Sequence, residues 1–282
     1  MIDYEYCNAK VLRLLSDYLN YCERSVTAEQ IADITSLGVS KEYAFRTLLL
    51  SLLGIEDEII KNEYFANSPK LLNADDYKSN PYYKNVLFGE KTRGKWTLGR
   101  GRYEPYELFV ADDFVYDGDK VIPSLGFFDR RFSFPAVYED GRLWMSVTPN
   151  EVNTMREPIS AAVGNMLTFG LGLGYFAYMC SLKPEVNTVT VVERDGSVID
   201  LFTRYILPQF KFKDKIRIVQ SDAYDYLNAI GDGVFDRAFV DIYRDAGDGR
   251  DVYVKFKRLI QSKNFNKTKF DFWIEKTIKY YL

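Results

Sequence analysis

The N-terminal part of the chain has the periodicity of apolar residues that is typical of α-helices. One helical face between Tyr4 and Tyr21 is apolar, and it is formed by Val11, Leu12, Leu14, Leu15, Tyr18 and Leu19. The sequence Thr-Ala-Glu-Gln at 27–30 is a capping box, which predicts that a second helix begins there. Ser40 predicts the N-cap of a third helix. We therefore expect residues 1–75 to form an N-terminal helical segment.

Between residues 76 and 149 the pattern changes to short segments in which apolar and polar residues alternate. These segments predict strands at 106–110, 114–116, 120–122, 132–138 and 143–147. The sequences Asp117-Gly-Asp and Glu139-Asp-Gly are turn signals between them. Residues 76–149 are therefore predicted to form a small antiparallel β unit.

A cluster of basic residues lies near the start of this β unit. It consists of Lys84, Lys91, Arg93, Lys95, Arg100 and Arg102, with Trp96 and Tyr103 among them. Cations next to aromatic rings suit an anionic substrate or the stacked bases of RNA. A solvent-exposed hairpin is the simpler interpretation, and we favour it.

From Met166 onward the chain reads as strand, glycine-rich turn, helix, strand and acid. These parts are the apolar run Met166–Phe169, the glycines Gly170, Gly172 and Gly174, the amphipathic segment Tyr175–Leu182, the β-branched run Thr188–Val192, and Glu193. This is the order of a nucleotide-binding βαβ unit. Glycines at such a turn let a ligand approach the main chain closely.

The same alternation of strands and helices continues beyond Glu193. Further strands are predicted at 215–220, 235–240 and 270–274, with helices between them. Residues 150–282 are therefore predicted to form an α/β, Rossmann-like, doubly wound and mostly parallel sheet. About forty residues follow the fourth strand, too few for a seven-stranded sheet. One sheet edge would then be open, and a homodimer that covers it is one expectation.

Composition limits the chemistry that this fold can carry. The 282 residues contain no histidine and three cysteines that are far apart. Histidine-based zinc sites, four-cysteine sites and histidine-activated nucleophiles are thereby excluded, and no metal site is predicted. Proton transfer must use Asp, Glu, Tyr, Lys or water. The separated cysteines suit free thiols in the cytoplasm, and no membrane span or signal peptide is predicted.

Charge argues against a nucleic-acid partner. The turn at 36–40, between two short helices, is typical of helix-turn-helix proteins. Residues 1–66, however, contain six Lys or Arg against eleven Asp or Glu. A segment that neutralises DNA phosphates is not acidic. The helical segment is therefore predicted to be a cap or a dimerisation unit, and no DNA partner is expected.

Four candidate binding features follow four different predicted strands. They are the glycine turn at 170–174, Glu193, Asp222 and Asp241. Ligands of doubly wound sheets bind outside the carboxyl ends of the strands. We therefore expect these features to meet at one edge of the sheet.

Over about residues 150–262 these motifs resemble the class I S-adenosylmethionine-dependent methyltransferases. The turn is G-x-G-x-G, whereas a dinucleotide site has G-x-G-x-x-G, and no G-K-S/T is present to hold a triphosphate. Within that superfamily the sequence resembles the spermidine-synthase-like branch. The shared features are the preceding β unit, the sequence VVERD at 191–195, Asp-Ala at 222–223, and Asp241 and Asp245 on either side of a loop.

The resemblance implies a site for S-adenosylmethionine or its decarboxylated form. Gly170, Leu171, Gly172 and Gly174 would lie against the methionine and ribose portions of the cofactor. Glu193, followed by Arg194, would bind the ribose hydroxyls. Asp222, with Ala223 beside it, would bind the adenine amino group, and Asp241 would border the methionine end and the acceptor.

The predicted function is methyl transfer to an unidentified small-molecule acceptor. The cofactor brings an activated methyl group, so the protein mainly has to align the acceptor and exclude water. Asp241 is the first candidate to orient or deprotonate the acceptor, and Asp245, Glu151 and Tyr243 are further candidates. The segment 148–154 is expected to lie over the pocket, which makes Glu151 and Asn153 candidate substrate contacts. Thr154 and Glu157 predict a capping box for the helix that follows.

Two alternatives remain open at this point. The first is a polyamine aminopropyltransferase that uses decarboxylated S-adenosylmethionine, as the spermidine-synthase-like resemblance suggests. Arg244 would place a positive charge beside a cationic amine, and Leu173 stands where that branch has an aspartate, so methyl transfer is favoured. The second is a non-catalytic nucleotide-binding module that has kept the fold.

Overall fold

The computed structural model of the protein describes residues 2–22 and 25–282. The chain forms two compact units. Unit 1 consists of Met1–Asp76 and Arg102–Ser133, and unit 2 consists of Tyr77–Gly101 and Phe134–Leu282. Each unit is thus built from two separate stretches of the chain.

The α-helices and strands are numbered in chain order. The helices are α1 (Tyr4–Tyr21), α2 (Ala28–Thr35), α3 (Lys41–Leu52), α4 (Glu58–Tyr64), α5 (Ala74–Lys78), α6 (Pro81–Asn85), α7 (Pro149–Thr154), α8 (Arg156–Ala161), α9 (Tyr175–Ser181), α10 (Gly196–Leu201), α11 (Ala223–Ala229), α12 (Ala246–Ser262) and α13 (Glu275–Tyr280). The strands are β1 (Lys70–Leu71), β2 (Lys91–Arg93), β3 (Trp96–Tyr103), β4 (Phe109–Asp117), β5 (Lys120–Phe127), β6 (Phe132–Glu139), β7 (Arg142–Ser146), β8 (Gly164–Phe169), β9 (Val186–Glu193), β10 (Ile216–Gln220), β11 (Arg237–Val240) and β12 (Lys269–Phe272). A π-helical turn, Phe202–Ile206, continues α10.

The first helices of unit 1 begin where the sequence predicts. Thr27 Oγ1 accepts a hydrogen bond from Gln30 N at 3.2 Å, and Gln30 Oε1 accepts one from Thr27 N at 3.0 Å. The predicted capping box before α2 is thus confirmed. Ser40 Oγ accepts from Tyr43 N at 3.2 Å and caps α3, as predicted.

The core of unit 1 joins these helices to a three-stranded sheet in the order β1-β5-β4. Phe45 of α3 stacks on Phe127 of β5 with ring centroids 4.0 Å apart, and both side chains are fully buried. Leu15 of α1 belongs to the same core. The helical segment is therefore stabilised by strands that follow it by about fifty residues in the sequence.

The structure divides the predicted β unit between two sheets. The β4–β5 hairpin belongs to the sheet of unit 1, whereas β2, β3, β6 and β7 form a four-stranded sheet in the order β2-β3-β6-β7. Leu125 is buried in the core of unit 1, and Trp96 and Val137 are buried in the core of unit 2. Alternation predicts which face of a strand is apolar, but not which core that face packs against.

Both predicted turns of this region are confirmed. Asp117 pairs with Lys120 across the first turn, and Glu139 pairs with Arg142 across the second. The two segments predicted at 106–110 and 114–116 become the single strand β4, whose register shifts at Asp112. Such a bulge interrupts the alternation of apolar residues, which is why the sequence pattern divides the strand in two.

Unit 2 contains a five-stranded sheet in the order β10-β9-β8-β11-β12, and every pair of neighbours is parallel. The chain runs outward from β8 to β10 and then crosses to β11 and β12 on the other side. The predicted doubly wound, Rossmann-like fold of residues 150–282 is thus confirmed. The strand order reverses between β8 and β11, the place where such sheets bind ligands.

Helices and aromatic side chains cover this sheet. Phe176 of α9 stacks on Phe239 of β11 with ring centroids 4.3 Å apart. Leu167 and Val191 of the central strands are fully buried. These contacts fix the sheet, and therefore the edge at which the predicted site residues lie.

The capping box predicted at Thr154 and Glu157 is wrong. The Thr154 hydroxyl instead donates to Asn150 O at 2.7 Å within α7, and it accepts a hydrogen bond from Trp273 Nε1 at 3.0 Å. The helix predicted after Thr154 is α8, which begins without a side-chain cap, and the joining segment before it forms the separate helix α7. A partner distant in the sequence has taken the hydroxyl that the local motif requires.

Two further features concern the whole of the described chain. No helix within it is long and apolar enough to cross a membrane. Cys7, Cys22 and Cys180 form no disulfide bond within the described residues. The strands β10 and β12 are the edges of the parallel sheet, and the homodimer remains a prediction.

One carboxylate fastens the turn before β11 to the residues before β12, and we expect its removal to lower stability. Asp232 accepts hydrogen bonds at 3.0 Å from the main-chain nitrogens of Asn266, Lys267 and Thr268. These bonds, that from Thr268 first, hold the pKa of Asp232 below its usual value. Stability from such a group is present above the pKa of the unfolded chain and is lost as the pH falls through the folded pKa. Asp232→Asn should therefore lower Tm at pH 7, with a difference that shrinks below about pH 4.

Thermal denaturation at several pH values measures this effect. Asp225→Asn, which changes an exposed acid on α11, is the control and should leave Tm nearly unchanged. An equal loss of stability for Asp232→Asn at pH 7 and at pH 2.5 would contradict the explanation.

Candidate functional site

A cavity of about 840 Å³ opens at the carboxyl edge of the parallel sheet in unit 2. Its lining includes residues that follow β8, β9, β10 and β11. The volume lies within the range of small-molecule and cofactor sites. All four predicted binding features contribute residues to its lining.

The glycine turn after β8 approaches its neighbours so closely that side chains are excluded. Gly170 has φ +98°, and a Cβ atom there would lie 1.9 Å from Asp241 O. Gly172 has φ +49°, and a Cβ atom would lie 1.9 Å from Met145 Sδ. Gly170, Leu171 and Gly172 line the cavity, so the turn presents main-chain atoms to it.

Gly174 occupies a different position from the other two glycines. It precedes α9 with φ +75°, and a Cβ atom there would meet the Phe202 ring at 2.3 Å. The cavity is lined by the turn up to Gly172 but not by Gly174. Gly174 thus lets the turn and the helix pack on the core, and its predicted cofactor contact remains a prediction.

Glu193 ends β9 and lies in the cavity wall beside the glycine turn. Its Oε2 accepts a hydrogen bond from Leu171 N at 3.2 Å, and its Oε1 accepts one from Asp195 N at 2.9 Å. Each carboxylate oxygen has a second lone pair for a ligand hydroxyl. Arg194, the next residue, is exposed and also lines the cavity.

Asp222 and Ala223 line the cavity where β10 ends. Asp222 Oδ1 accepts hydrogen bonds from Tyr224 N at 2.8 Å and from Asp225 N at 3.3 Å, and thereby caps α11. Ala223 is buried beside it. The side chain of Asp222 thus has a structural contact through one oxygen, while its other oxygen can accept from a ligand.

Asp241 follows β11 and is partly buried, and together with the buried Glu151 of α7 it forms a pair of acids that lines the cavity. Glu151 is only 9% exposed. Burial, together with the charge of Asp241, raises the pKa of Glu151 well above its usual value. Burial also raises the pKa of Asp241 to about 7. The pair therefore holds at least part of one proton near neutral pH.

Three other predicted residues have different surroundings. Asp245 caps α12, since its Oδ1 accepts a hydrogen bond from Asp248 N at 3.0 Å. It is exposed, and it is not among the described residues that line the cavity. Asn153 Nδ2 donates to Tyr77 Oη at 3.1 Å, outside the lining. Tyr243 lines the cavity, but its hydroxyl donates to Trp273 O. Asp245 and Asn153 are therefore held by contacts away from the cavity.

All three tryptophans of the chain line the cavity, which the sequence did not predict. Trp96 and Trp144 pack edge to face with ring centroids 5.4 Å apart, and Trp96 Nε1 donates to Asp195 Oδ2 at 2.9 Å. The Arg244 guanidinium lies 5.0 Å from the centre of the Trp144 ring. These rings come from β3, from β7 and from the residue after β12, so no local motif joins them. Their common position in the cavity therefore had no local signal in the sequence.

The basic cluster predicted at 84–102 contributes little positive charge to this site. Lys95 lines the cavity but forms an ion pair with Glu139, and Arg93 pairs with Asp200 at 3.2 Å. The β2–β3 hairpin carries these residues, and β2 is fully exposed. The hairpin interpretation is therefore confirmed for residues 91–102, whereas Lys84 lies on α6.

Carboxylates dominate the charge of the cavity. Among the described lining residues there are eight Asp or Glu and three Lys or Arg. Arg244 is paired with Asp248 at 3.2 Å, and Lys95 is paired with Glu139. The cavity therefore favours a cationic ligand over an anionic one. Within the described ranges, no three Cys, Asp or Glu side chains are grouped so as to hold a metal ion.

The buried acids should make the stability of the protein depend on pH in a particular direction. A group whose pKa is raised in the folded state stabilises the fold below its unfolded pKa, and this stability is lost as the pH rises through the folded pKa. Glu151→Gln removes the buried charge. It should leave stability nearly unchanged at pH 4.5 and raise the free energy of unfolding by about 1–3 kcal/mol at pH 8.

Urea denaturation at both pH values checks this expectation. Glu157→Gln is the matched control, because Glu157 is exposed on the neighbouring helix α8 and should show no such difference. A Glu151→Gln variant that is less stable than the wild type at pH 8 would show that the carboxylate is stabilised by its surroundings.

Comparison with known proteins gives matches among solved structures only. No protein-family model matches the chain, and no curated protein matches its sequence. A spermidine synthase from Thermotoga maritima is 18% identical with a TM-score of 0.32, over 44% of this chain and 48% of that one. A spermidine synthase in complex with the transition-state analogue AdoDATO is 18% identical with a TM-score of 0.38, over 50% and 54%. A protein assigned as an O-methyltransferase of Klebsiella pneumoniae is 16% identical with a TM-score of 0.27, over 33% and 41%.

These matches span about half of the length of the solved structures. At such identities and TM-scores they say nothing about the activity of this chain. The strand order and the strand directions of unit 2 show the fold itself, which is a Rossmann-like α/β fold.

Proposed function

We propose that the protein is a transferase that binds S-adenosylmethionine in the cavity of unit 2 and transfers its methyl group to a small-molecule acceptor. One observation supports this proposal most strongly. The turn at Gly170–Gly172, Glu193, Asp222 and Asp241 follow four adjacent parallel strands and line a single cavity. The sequence motifs show only that these residues are present. The fold brings them together in one cavity.

The residues present fit the groups of this cofactor. The main chain of the glycine turn can pack against its methionine portion, and Glu193 has lone pairs for the two ribose hydroxyls. Asp222 can accept a hydrogen bond from the adenine amino group beside Ala223. The negative cavity complements the positive sulfonium. Met145, which lies against Gly172, is a flexible side chain that can adapt to a ligand at the turn.

The bound cofactor would supply a methyl group on a positively charged sulfur, which leaves as a neutral thioether. The acid pair acts on the other reactant. Asp241 would accept the proton of the acceptor nitrogen or oxygen, and would so free its electron pair for the methyl group that the cofactor supplies. A pKa of about 7 suits a general base at neutral pH, because such a group is partly ionised and still binds a proton well.

Aminopropyl transfer is the second candidate, and the charge of the cavity favours it in one respect. From its position in the sequence, Arg244 is unfavourable for a cationic amine. In the structure its guanidinium lies over the Trp144 ring and forms an ion pair with Asp248. Its charge is therefore partly compensated, and the acid pair is available to a cationic amine. The two reactions differ in their cofactor, because only the methyl donor keeps its carboxylate.

Isothermal titration calorimetry tests the binding proposal. The wild type should bind S-adenosylmethionine and methylthioadenosine, since both carry the adenosyl group that Glu193 and Asp222 contact. Glu193→Ala should weaken both affinities about ten- to a hundredfold, because hydrogen bonds to a charged acceptor contribute about 1.5–3 kcal/mol. Glu193→Gln, which keeps the shape of the side chain, should show a smaller loss.

Glu185→Ala is the matched control, because Glu185 is an exposed glutamate at the opposite end of the same strand β9. Absence of binding by the wild type, or equal affinities for the wild type and Glu193→Ala, would contradict the proposal and favour a module without this ligand. Tighter binding of decarboxylated S-adenosylmethionine, with turnover in the presence of putrescine, would replace methyl transfer by aminopropyl transfer.

A further inference from the structure

The residue after β12, Trp273, contacts both of the segments that carry the acid pair. Its main-chain nitrogen donates to Val240 O at 3.1 Å, which extends the pairing of β12 with β11 up to the residue before Asp241. Trp273 is 7% exposed, so its ring is held by packing. The first acid is thus tied to Trp273 through the backbone of β11.

The second acid is tied to Trp273 through α7. The indole Nε1 donates to Thr154 Oγ1 at 3.0 Å, and the Thr154 hydroxyl donates to Asn150 O at 2.7 Å. Thr154 is the last residue of α7, and Glu151 lies on the same short helix, one turn earlier. The indole N–H therefore fixes the end of the helix that carries Glu151.

A third contact closes this arrangement. The Tyr243 hydroxyl donates to Trp273 O, and the two rings pack with centroids 5.8 Å apart. Tyr243 lies two residues after Asp241, so Trp273 contacts residues on both sides of Asp241. None of these contacts involves the carboxylates themselves.

We propose that Trp273 is a positioning residue that sets the distance between the carboxylates of Glu151 and Asp241 through its indole N–H bond to Thr154. This inference rests on the proposed function, in which the acid pair takes up the proton that the acceptor loses. The energy between two charges falls with their separation, and it is largest where water is excluded. A small movement of α7 relative to β11 would therefore change how the two acids share a proton.

Other titratable groups near the pair do not replace this effect. Tyr175 of α9 also faces Glu151, and burial raises the pKa of its phenol to about 12, so the ring stays neutral while the acids titrate. Arg156 of α8 is exposed, and its charge acts on Tyr175 in the direction opposite to burial. The hydroxyl of Tyr243 is bound to Trp273 O. The acids are therefore the groups that a shift of α7 affects first.

Carbon-13 NMR titration of the side-chain carboxyls tests the inference in the protein without ligand. Glu151→Gln and Asp241→Asn assign the two resonances. Trp273→Phe keeps the ring contact with Tyr243 and the backbone bonds, but it removes the N–H donor. The midpoint of Glu151, which the charge of Asp241 helps to raise, should fall by about half a pH unit or more, because α7 is no longer held against β12 and the acids move apart. The midpoint of Asp241, which burial raises, should move less.

Thr154→Val removes the same hydrogen bond from the other side, together with the bond from Thr154 to Asn150 O, and should shift the midpoint of Glu151 at least as far. The double variant should shift it no further than Thr154→Val, since that variant already lacks the bond to the indole. Trp96→Phe is the matched control. It removes the N–H bond of another cavity tryptophan, to Asp195, and should leave both midpoints in place.

Midpoints equal to those of the wild type in Trp273→Phe and in Thr154→Val would overturn the inference. If Trp273→Phe does not fold, Thr154→Val alone decides. That variant removes the hydroxyl that accepts the indole N–H bond, and it leaves the Trp273 ring unchanged. A wild type that binds no adenosyl ligand in calorimetry would overturn the proposed function, while the NMR midpoints would still decide whether Trp273 sets the distance. In an active enzyme, the acidic limb of the pH–rate profile should shift in Trp273→Phe by the same amount as the midpoint of Asp241, the proposed base.

Discussion

The candidate site depends on the parallel pairing of β8 with β9 on one side and with β11 on the other. The hydrogen bonds of this ladder continue past the strand ends into the residues of the site. Gly170 N donates to Val192 O at 2.9 Å, and Asp241 N donates to Phe169 O at 2.9 Å. Ser221 N donates to Glu193 O at 3.0 Å on the next strand. Because the backbone fixes these positions, the carboxylates face one cavity before any ligand is bound.

The same constraint explains why the glycine turn and the acids form a single unit. Gly170 lies so close to Asp241 O that a methyl group would collide with it, and Glu193 accepts a hydrogen bond from the turn itself. A change in the turn would therefore move β11 and its acid. The burial that results raises the pKa of Asp241, so packing and proton chemistry have the same origin.

The sequence predicted the part of the site that depends on strand ends. Glu193, Asp222 and Asp241 were placed at one edge because the carboxyl ends of parallel strands meet there, and this required no knowledge of side-chain packing.

Asp245 was predicted from its position in a loop. A position in a loop does not determine where the side chain points. Its side chain caps α12, because a carboxylate at a helix N-terminus satisfies free main-chain N–H groups.

The pairing of Glu151 with Asp241 and the three tryptophans of the cavity could not be predicted in this way. To predict them, one would have to know how α7 and two hairpins cross the sheet. That path is set by contacts between residues far apart in the sequence, such as Trp273 with Thr154. The division of the β unit between two cores was unpredictable for the same reason.

The most direct measurement of the central claim is a crystal structure of the protein with S-adenosylhomocysteine, the product of methyl transfer. Our account predicts the ligand in the cavity of unit 2, with its ribose hydroxyls within hydrogen-bond distance of the Glu193 carboxylate. It also predicts the adenine amino group next to Asp222 and the sulfur on the side of Asp241. A ligand bound elsewhere, or a ribose that does not contact Glu193, would contradict it.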